Sequence, residues 1–152
     1  MLQIARHTDY AARILLHLAG LGEGERVSIA ELARVRLLPA PFVRRLIRDL
    51  VDAGLVTTTR GASGGIQLAR PAESISLLDL VQAMEGPIIL SPCVADGHSC
   101  PLATACPVRG AWEGARQALL EHLGAARFDV LAKKPTGRRT NSPARRAHGR
   151  PR

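Results

Sequence analysis

The sequence predicts a mainly α-helical fold carrying one small β-hairpin. Apolar residues recur at helical spacing over five stretches, and one run of β-formers doubles back across a glycine-rich tip. Glycine or proline stands at most boundaries between these stretches.

The first helix is expected from Thr8 to Gly20, with Ala11, Ile14, Leu15, Leu18 and Ala19 on one face and Gly20 ending it. A polar turn, Gly22–Arg26, separates it from Ser28-Ile-Ala-Glu31, a capping-box pattern. There the Ser28 hydroxyl can accept from the Glu31 N–H while the Glu31 carboxylate reaches back, opening a short helix to about Val35. Leu37–Pro41 reads as a turn, because Pro39 and Pro41 cannot sit in a helix interior, and Pro41 is suited to open the next helix. That helix carries Phe42, Val43, Leu46, Ile47, Leu50 and Val51 on one face, shows Arg44, Arg45, Arg48, Asp49 and Asp52 on the opposite one, and closes at Gly54.

The period then changes. Leu55–Thr59 and Ile66–Ala69 are expected as two strands around the tip Arg60-Gly-Ala-Ser-Gly-Gly65. Two short helices, a tight turn and a following hairpin together make a winged helix-turn-helix domain. Ser76-Leu-Leu-Asp79 repeats the capping pattern and opens a helix to about Glu85, which Gly86-Pro87 stops. An irregular segment, Gly86 to Pro107, holds all three cysteines, and a segment that long inside a compact domain is usually functional. The final helix, about Val108 to Leu123, carries Trp112, Ala115, Leu119, Leu120 and Leu123 along one side. The expected organisation is therefore a winged-helix domain over residues 1–85 and a cysteine loop over 86–107. A dimerisation helix and the end of the fold occupy 108–132, and a disordered basic tail 133–152.

Charge sharpens this division. The 152 residues carry a formal charge of +8, and eight of the 21 lysines and arginines lie in residues 133–152 without an acid among them. Residues 1–132 are left with 13 basic against 13 acidic side chains, so the folded part is neutral and the tail is a salt-sensitive attractor for phosphates or a solvated extension. With no apolar run near the length of a bilayer span and no secretory leader, a soluble cytoplasmic protein without membrane contact is expected.

Guanidinium groups bind guanine edges and phosphates in bidentate fashion, and the major groove admits a helix. Arg44, Arg45 and Arg48 share one outer face and can address one stretch of groove, with Pro41 setting the helix start close to the duplex. Arg60 at the hairpin tip suits a phosphate or minor-groove contact, and the glycines beside it allow close backbone approach. The candidate DNA contacts are Ser28, Pro41, Arg44, Arg45, Arg48, Arg60, Ser63 and Gly64. One such domain reads few base pairs, and the terminal apolar helix cannot bury its stripe alone, so a homodimer on a palindromic double-stranded site is expected.

Cys93, Cys100 and Cys106 fall within fourteen residues. Their spacing lacks the paired thiols of structural zinc sites and suits thiolates wrapped around a polynuclear cluster. Pro92, Pro101 and Pro107 stiffen the loop. Three thiolates leave one position for a weaker ligand, where a small diatomic molecule or oxidant can attack. His7, Asp9, Asp96 and His98 are candidates for that position.

These residues resemble the Rrf-two family of winged-helix regulators, which includes iron–sulfur proteins. The resemblance covers nearly all of residues 1–132. It rests on Thr8-Asp9-Tyr10-Ala11, on Arg60-Gly-Ala-Ser-Gly-Gly65, and on the cysteine trio with Cys100-Pro-Leu. It implies a dimeric regulator in which Cys93, Cys100 and Cys106 hold an iron–sulfur cluster. A branch with a 2Fe–2S site uses a histidine three residues past the last cysteine, where this chain has Arg109. The nitric-oxide-sensing, NsrR-like branch with a 4Fe–4S cluster uses an aspartate near the start of the first helix, supplied by the partner subunit, and Asp9 stands there. The resemblance thus puts a 4Fe–4S cluster ahead of a 2Fe–2S one and implies a regulator that represses or activates promoters, with repression as the expected output. The competing expectation keeps DNA binding but makes the thiols a redox switch or a zinc site. An enzyme is not expected, for the chain offers no nucleophile–base pair and few aromatics to line a substrate pocket.

Overall fold

The N-terminal half of the chain is organised by two helix ends that lock into the core. In the computed structural model, which describes residues 3–22, 24–95, 101 and 105–133, the elements run α1 (Arg6–Ala19), α2 (Ile29–Arg36), α3 (Ala40–Asp52), β1 (Val56–Thr59) and β2 (Gly65–Leu68). A 3-10 turn (Ala72–Ser74) follows, then α4 (Leu77–Glu85), α5 (Pro92–Ala95), α6 (Pro107–Ala125) and α7 (Phe128–Lys133). At the end of α3 the N–H groups of Gly54 and Leu55 return to the carbonyls of Val51 and Leu50 at 2.9 and 3.0 Å. Gly54 sits at φ 67°, which a glycine adopts without the clash a Cβ would bring, and Leu50 and Leu55 close over each other in the core. The same closure ends α2, but with Leu37 in the left-handed position, at φ 54° and ψ 45°.

The core lies where α1, α3, the hairpin and α4 converge. Ile14, Leu15, Leu32, Val43, Leu46, Leu50, Ile75, Leu80 and Phe128 are all buried, each worth roughly 1.5–3 kcal/mol of apolar transfer. β1 and β2 pair antiparallel with Val56 opposite Leu68 and Thr59 opposite Gly65. A bridge between Val27 and Ile66, bonded in both directions at 3.1 and 2.9 Å, lays a third short segment against the hairpin.

The architecture agrees with the winged helix-turn-helix expectation, and four local readings are corrected. Helix α1 starts at Arg6, two residues early: the Ala5 carbonyl already accepts from the Thr8 and Asp9 N–H groups at 3.1 and 3.2 Å, and the Ala5 N–H is itself accepted by Glu85 Oε1 at 3.0 Å. The first capping box is half made: Ser28 Oγ accepts from the Glu31 N–H at 3.1 Å, while the Glu31 carboxylate turns to Arg34. The complete box is at Ser76, whose N–H and hydroxyl both reach Asp79 Oδ2 at 2.7 Å. The segment after Gly86 is not wholly irregular, for α5 forms within it around Cys93. Finally, Leu123 does not end the last helix: α6 continues to Ala125 and α7 follows, with Phe128 fully buried.

Helix α6 packs on α4 through its C-terminal half, where Gly124 faces Leu78. Its N-terminal half leaves Val108 57% and Trp112 44% exposed. Among the described residues no helix is long and apolar enough to cross a membrane.

Candidate nucleic-acid interface and cysteine site

Helix α3 is built to present its outer face. Ala40 and Pro41 occupy its first two positions, where proline costs no hydrogen bond; Val43, Leu46, Ile47 and Leu50 are spent on the core, whereas Val51, expected on the same face, is 37% exposed at the edge of it. Arg44, Arg45 and Arg48 are exposed, and among the described residues none of them is held by a hydrogen bond or ion pair. Pairing with Asp49 or Asp52, the ordinary fate of such arginines, does not occur. Their donors stay available, which a helix entering a groove lined by phosphates and base edges requires.

The other candidate contacts flank this helix in sequence. Ser28 stands exposed at the N-cap of α2, with its hydroxyl proton left over after capping. Arg60 is exposed at the turn out of β1 and has no partner among the described residues. Gly64 turns the chain into β2, and a Cβ there would collide with the Thr59 carbonyl and lie 2.8 Å from the Arg60 carbonyl carbon, so only glycine fits. Ser63 contributes its carbonyl rather than its side chain: it accepts from Arg26 Nη1 at 3.2 Å. Arg26, assigned from sequence to a polar turn, is thus part of the hairpin.

A groove of about 980 Å³ opens beside α3, lined by Arg6, His7, Tyr10, Arg45, Asp49 and Met84 among others. Tyr10 meets Phe42 edge to face with ring centroids 5.6 Å apart, an arrangement that aromatic quadrupoles favour, and Arg13 lies over the Tyr10 ring at 5.3 Å. His7 Nε2 is 3.4 Å from the Met84 carbonyl. The start of α1 therefore touches both the arginine-faced helix and the end of α4. Toward the C-terminal end of α1, burial and the positive charge of Arg36 push His17 below its ordinary value of 6.5, with Glu31 opposing them. Burial and Arg13 likewise lower Arg36, whose Nε is enclosed without a partner.

Two of the three cysteines lie within the described residues. Cys93 is the second residue of α5 and Cys106 the N-cap of α6; both are half-buried free thiols, and α5 packs on α6. Ser91 Oγ lies 3.1 Å from Cys93 Sγ. Arg116, unnoticed in the sequence, ties the approach to Cys93 down by donating to the Ile88 carbonyl at 2.9 Å. Cys100, Asp96 and His98 fall outside the described residues. Asp9 is exposed on α1 and paired with Arg13 at 2.6 Å. Among the described residues no three acids, histidines or cysteines gather into a metal-binding group. Thiolates are soft ligands that suit an iron–sulfur cluster, and Cys93 and Cys106, free and half-buried, provide two such donors.

The family model of Rrf2, an iron-dependent transcriptional regulator, matches residues 4–134. The chain belongs to the Rrf2 family. It is accordingly a DNA-binding transcription regulator and not an enzyme. Protein aau3 of Rhizobium meliloti (strain 1021) is 35% identical over 134 residues, spanning 87% of this chain and 86% of that protein. Among solved Rrf2-like structures, CymR, the global cysteine regulator of B. subtilis, superposes with a TM-score of 0.70 at 27% identity, covering 87% of this chain and 97% of CymR. IscR of T. potens gives 0.66 at 26% identity, covering 86% of each chain. The fold is thus shared along nearly the whole described length of these regulators.

Proposed function

We propose that this Rrf2 protein is a repressor that binds a palindromic operator as a homodimer and releases it when an iron–sulfur cluster is lost. Cys93, Cys100 and Cys106 hold the cluster, a 4Fe–4S one, and Asp9 of the partner subunit completes it. Residues 1–85 read DNA, 86–107 sense the signal, 108–132 join the copies and the basic residues of 133–152 add attraction to phosphates, in the cytoplasm beside the genome. The observation that carries this reading is the pair of free, half-buried thiols on packed helices α5 and α6. They follow directly on α4, whose end is bonded to the start of α1.

When bound, such a cluster supplies a group that nitric oxide or an oxidant attacks at the position the cysteines leave open. The protein's own part is to relay its presence. Asp9 engages Arg13, Arg13 covers Tyr10, and Tyr10 abuts Phe42 on α3. An unbroken line of contacts therefore joins the candidate ligand to the DNA-reading helix, which supports coupling between them.

Anaerobic reconstitution with iron and sulfide tests this. The expected product is brown, absorbs broadly near ~400 nm, and binds its promoter until nitric oxide is added. A colourless protein, or promoter affinity indifferent to the cluster, overturns the proposal. A second reading, thiol redox control without iron, draws support from Ser91 beside Cys93 and from the likeness to CymR. In that case Cys93→Ala leaves the absorption spectrum unaltered and abolishes only the response to oxidant.

A further inference from the structure

Arg26 does more than its place in a polar turn suggests. Its guanidinium forks across the hairpin: Nε donates to Gln67 Oε1 at 3.0 Å, on β2, and Nη1 to the Ser63 carbonyl at 3.2 Å, at the tip. The path of its stem is kept clear by Gly65, where an added Cβ would come within 2.9 Å of Arg26 Cβ. The next residue, Val27, is the one bridged to Ile66 in both directions, so Arg26 is carried on a backbone segment fixed to the hairpin. A two-stranded hairpin alone is marginal in water, and this tip closes on itself through the Gly64 N–H to the Gly61 carbonyl at 3.0 Å, to which Arg26 adds a side-chain tie. Both acceptors of the guanidinium are neutral, so its charge is not cancelled.

We propose that Arg26 is a positioning residue that braces the wing, holding the tip and Arg60 at the angle from which they meet the DNA backbone. The planar fork is what the role demands: one rigid group bonds strand and tip at once, whereas a lysine is a single point charge on a flexible stem. The inference rests on the reading of the hairpin as a DNA-contacting wing.

The test uses the full chain and a duplex selected by it from a random-sequence library, with dissociation constants measured by fluorescence anisotropy. Arg60→Ala and Arg26→Ala are each expected to weaken binding on the order of tenfold. The double variant is expected to be no weaker than Arg60→Ala alone, since an unbraced wing and a wing without its contact lose the same interaction. Arg26→Lys, which keeps the charge and loses the fork, is expected to bind as poorly as Arg26→Ala. Thermal midpoints should stay together, because the side chain is exposed. Wild-type affinity in Arg26→Lys, or additive losses in the double variant, would mean that Arg26 acts as a charge on DNA and overturns the inference. If Arg60→Ala weakens binding and Arg26→Ala does not, the inference alone falls. If Arg60→Ala has no effect, the wing reading falls and the inference with it.

Discussion

The backbone N–H of Phe128 donates to the Ile75 carbonyl at 3.0 Å, and the side chains of both residues are fully buried. One residue after Ile75 and one before Phe128, Ser76 and Arg127 form an antiparallel β-bridge, and Leu77 N–H reaches the Ala126 carbonyl at 2.8 Å. The short final helix is therefore part of the winged-helix core rather than an appendage of α6. Phe128→Ala is expected to cost about 3–5 kcal/mol, the usual penalty for emptying a large aromatic site. Urea unfolding checks this; a loss below ~1 kcal/mol would show that α7 is peripheral.

Leu37 is the only non-glycine residue at positive φ among the described residues, and it is 90% exposed. A Cβ in the left-handed region costs roughly 1–2 kcal/mol, against about 0.5–1 kcal/mol for the extra freedom a glycine gives the unfolded chain. With no packing to lose, Leu37→Gly is expected to raise stability by up to ~1 kcal/mol. A lowered denaturation midpoint would contradict this account of the α2–α3 turn.

A substitution at Gly64 is expected to separate folding from DNA binding. Since a Cβ there meets the backbone of Thr59 and Arg60, Gly64→Ala must rebuild the tip while the core, remote from it, is untouched. The expected outcome is near-native circular dichroism and thermal midpoint with DNA affinity reduced about tenfold or more. Unchanged affinity would exclude the tip from the interface.

Two groups give stability a pH dependence of known sign. Folding depresses His17, first through burial and then through Arg36, so its contribution is complete above about 6.5 and is lost as pH falls through the lower folded value. At Asp79 burial works to raise the carboxyl, but the Ser76 hydrogen bonds and the charges of Arg70 and Arg127 outweigh it and hold the group below 3.8. That contribution persists above this value and disappears only as pH drops further. Stability measured from pH 7 to 5 should therefore decline in the wild type and less so in His17→Gln. The penalty of Asp79→Ala, about 1 kcal/mol from the lost cap, should survive to pH 5 and shrink below about pH 4.

Most of the fold was legible because its signals are local. Proline at the start of α3, glycine after its end, serine before α2 and α4, and the threonines of β1 each act through their own backbone, so the pattern fixes them without knowledge of the rest. What escaped notice depends on partners distant in sequence. Arg26 reaches Ser63 and Gln67, Arg116 reaches Ile88, and Ala5 is capped by Glu85, 80 residues away. Helix α7 was missed because six residues carry little helical period, and only Phe128 inside the core gives them a place. At the candidate site the arginine face was readable from a three-to-four spacing, but that its members would remain unpaired was not.

The exposed upper half of α6 has a practical corollary. Trp112 is the sole tryptophan of the chain, and it stands half in water only six positions after Cys106. An indole in that setting emits differently once water is displaced from it, so the protein carries an intrinsic optical gauge of whatever comes to cover that face, needing neither dye nor label.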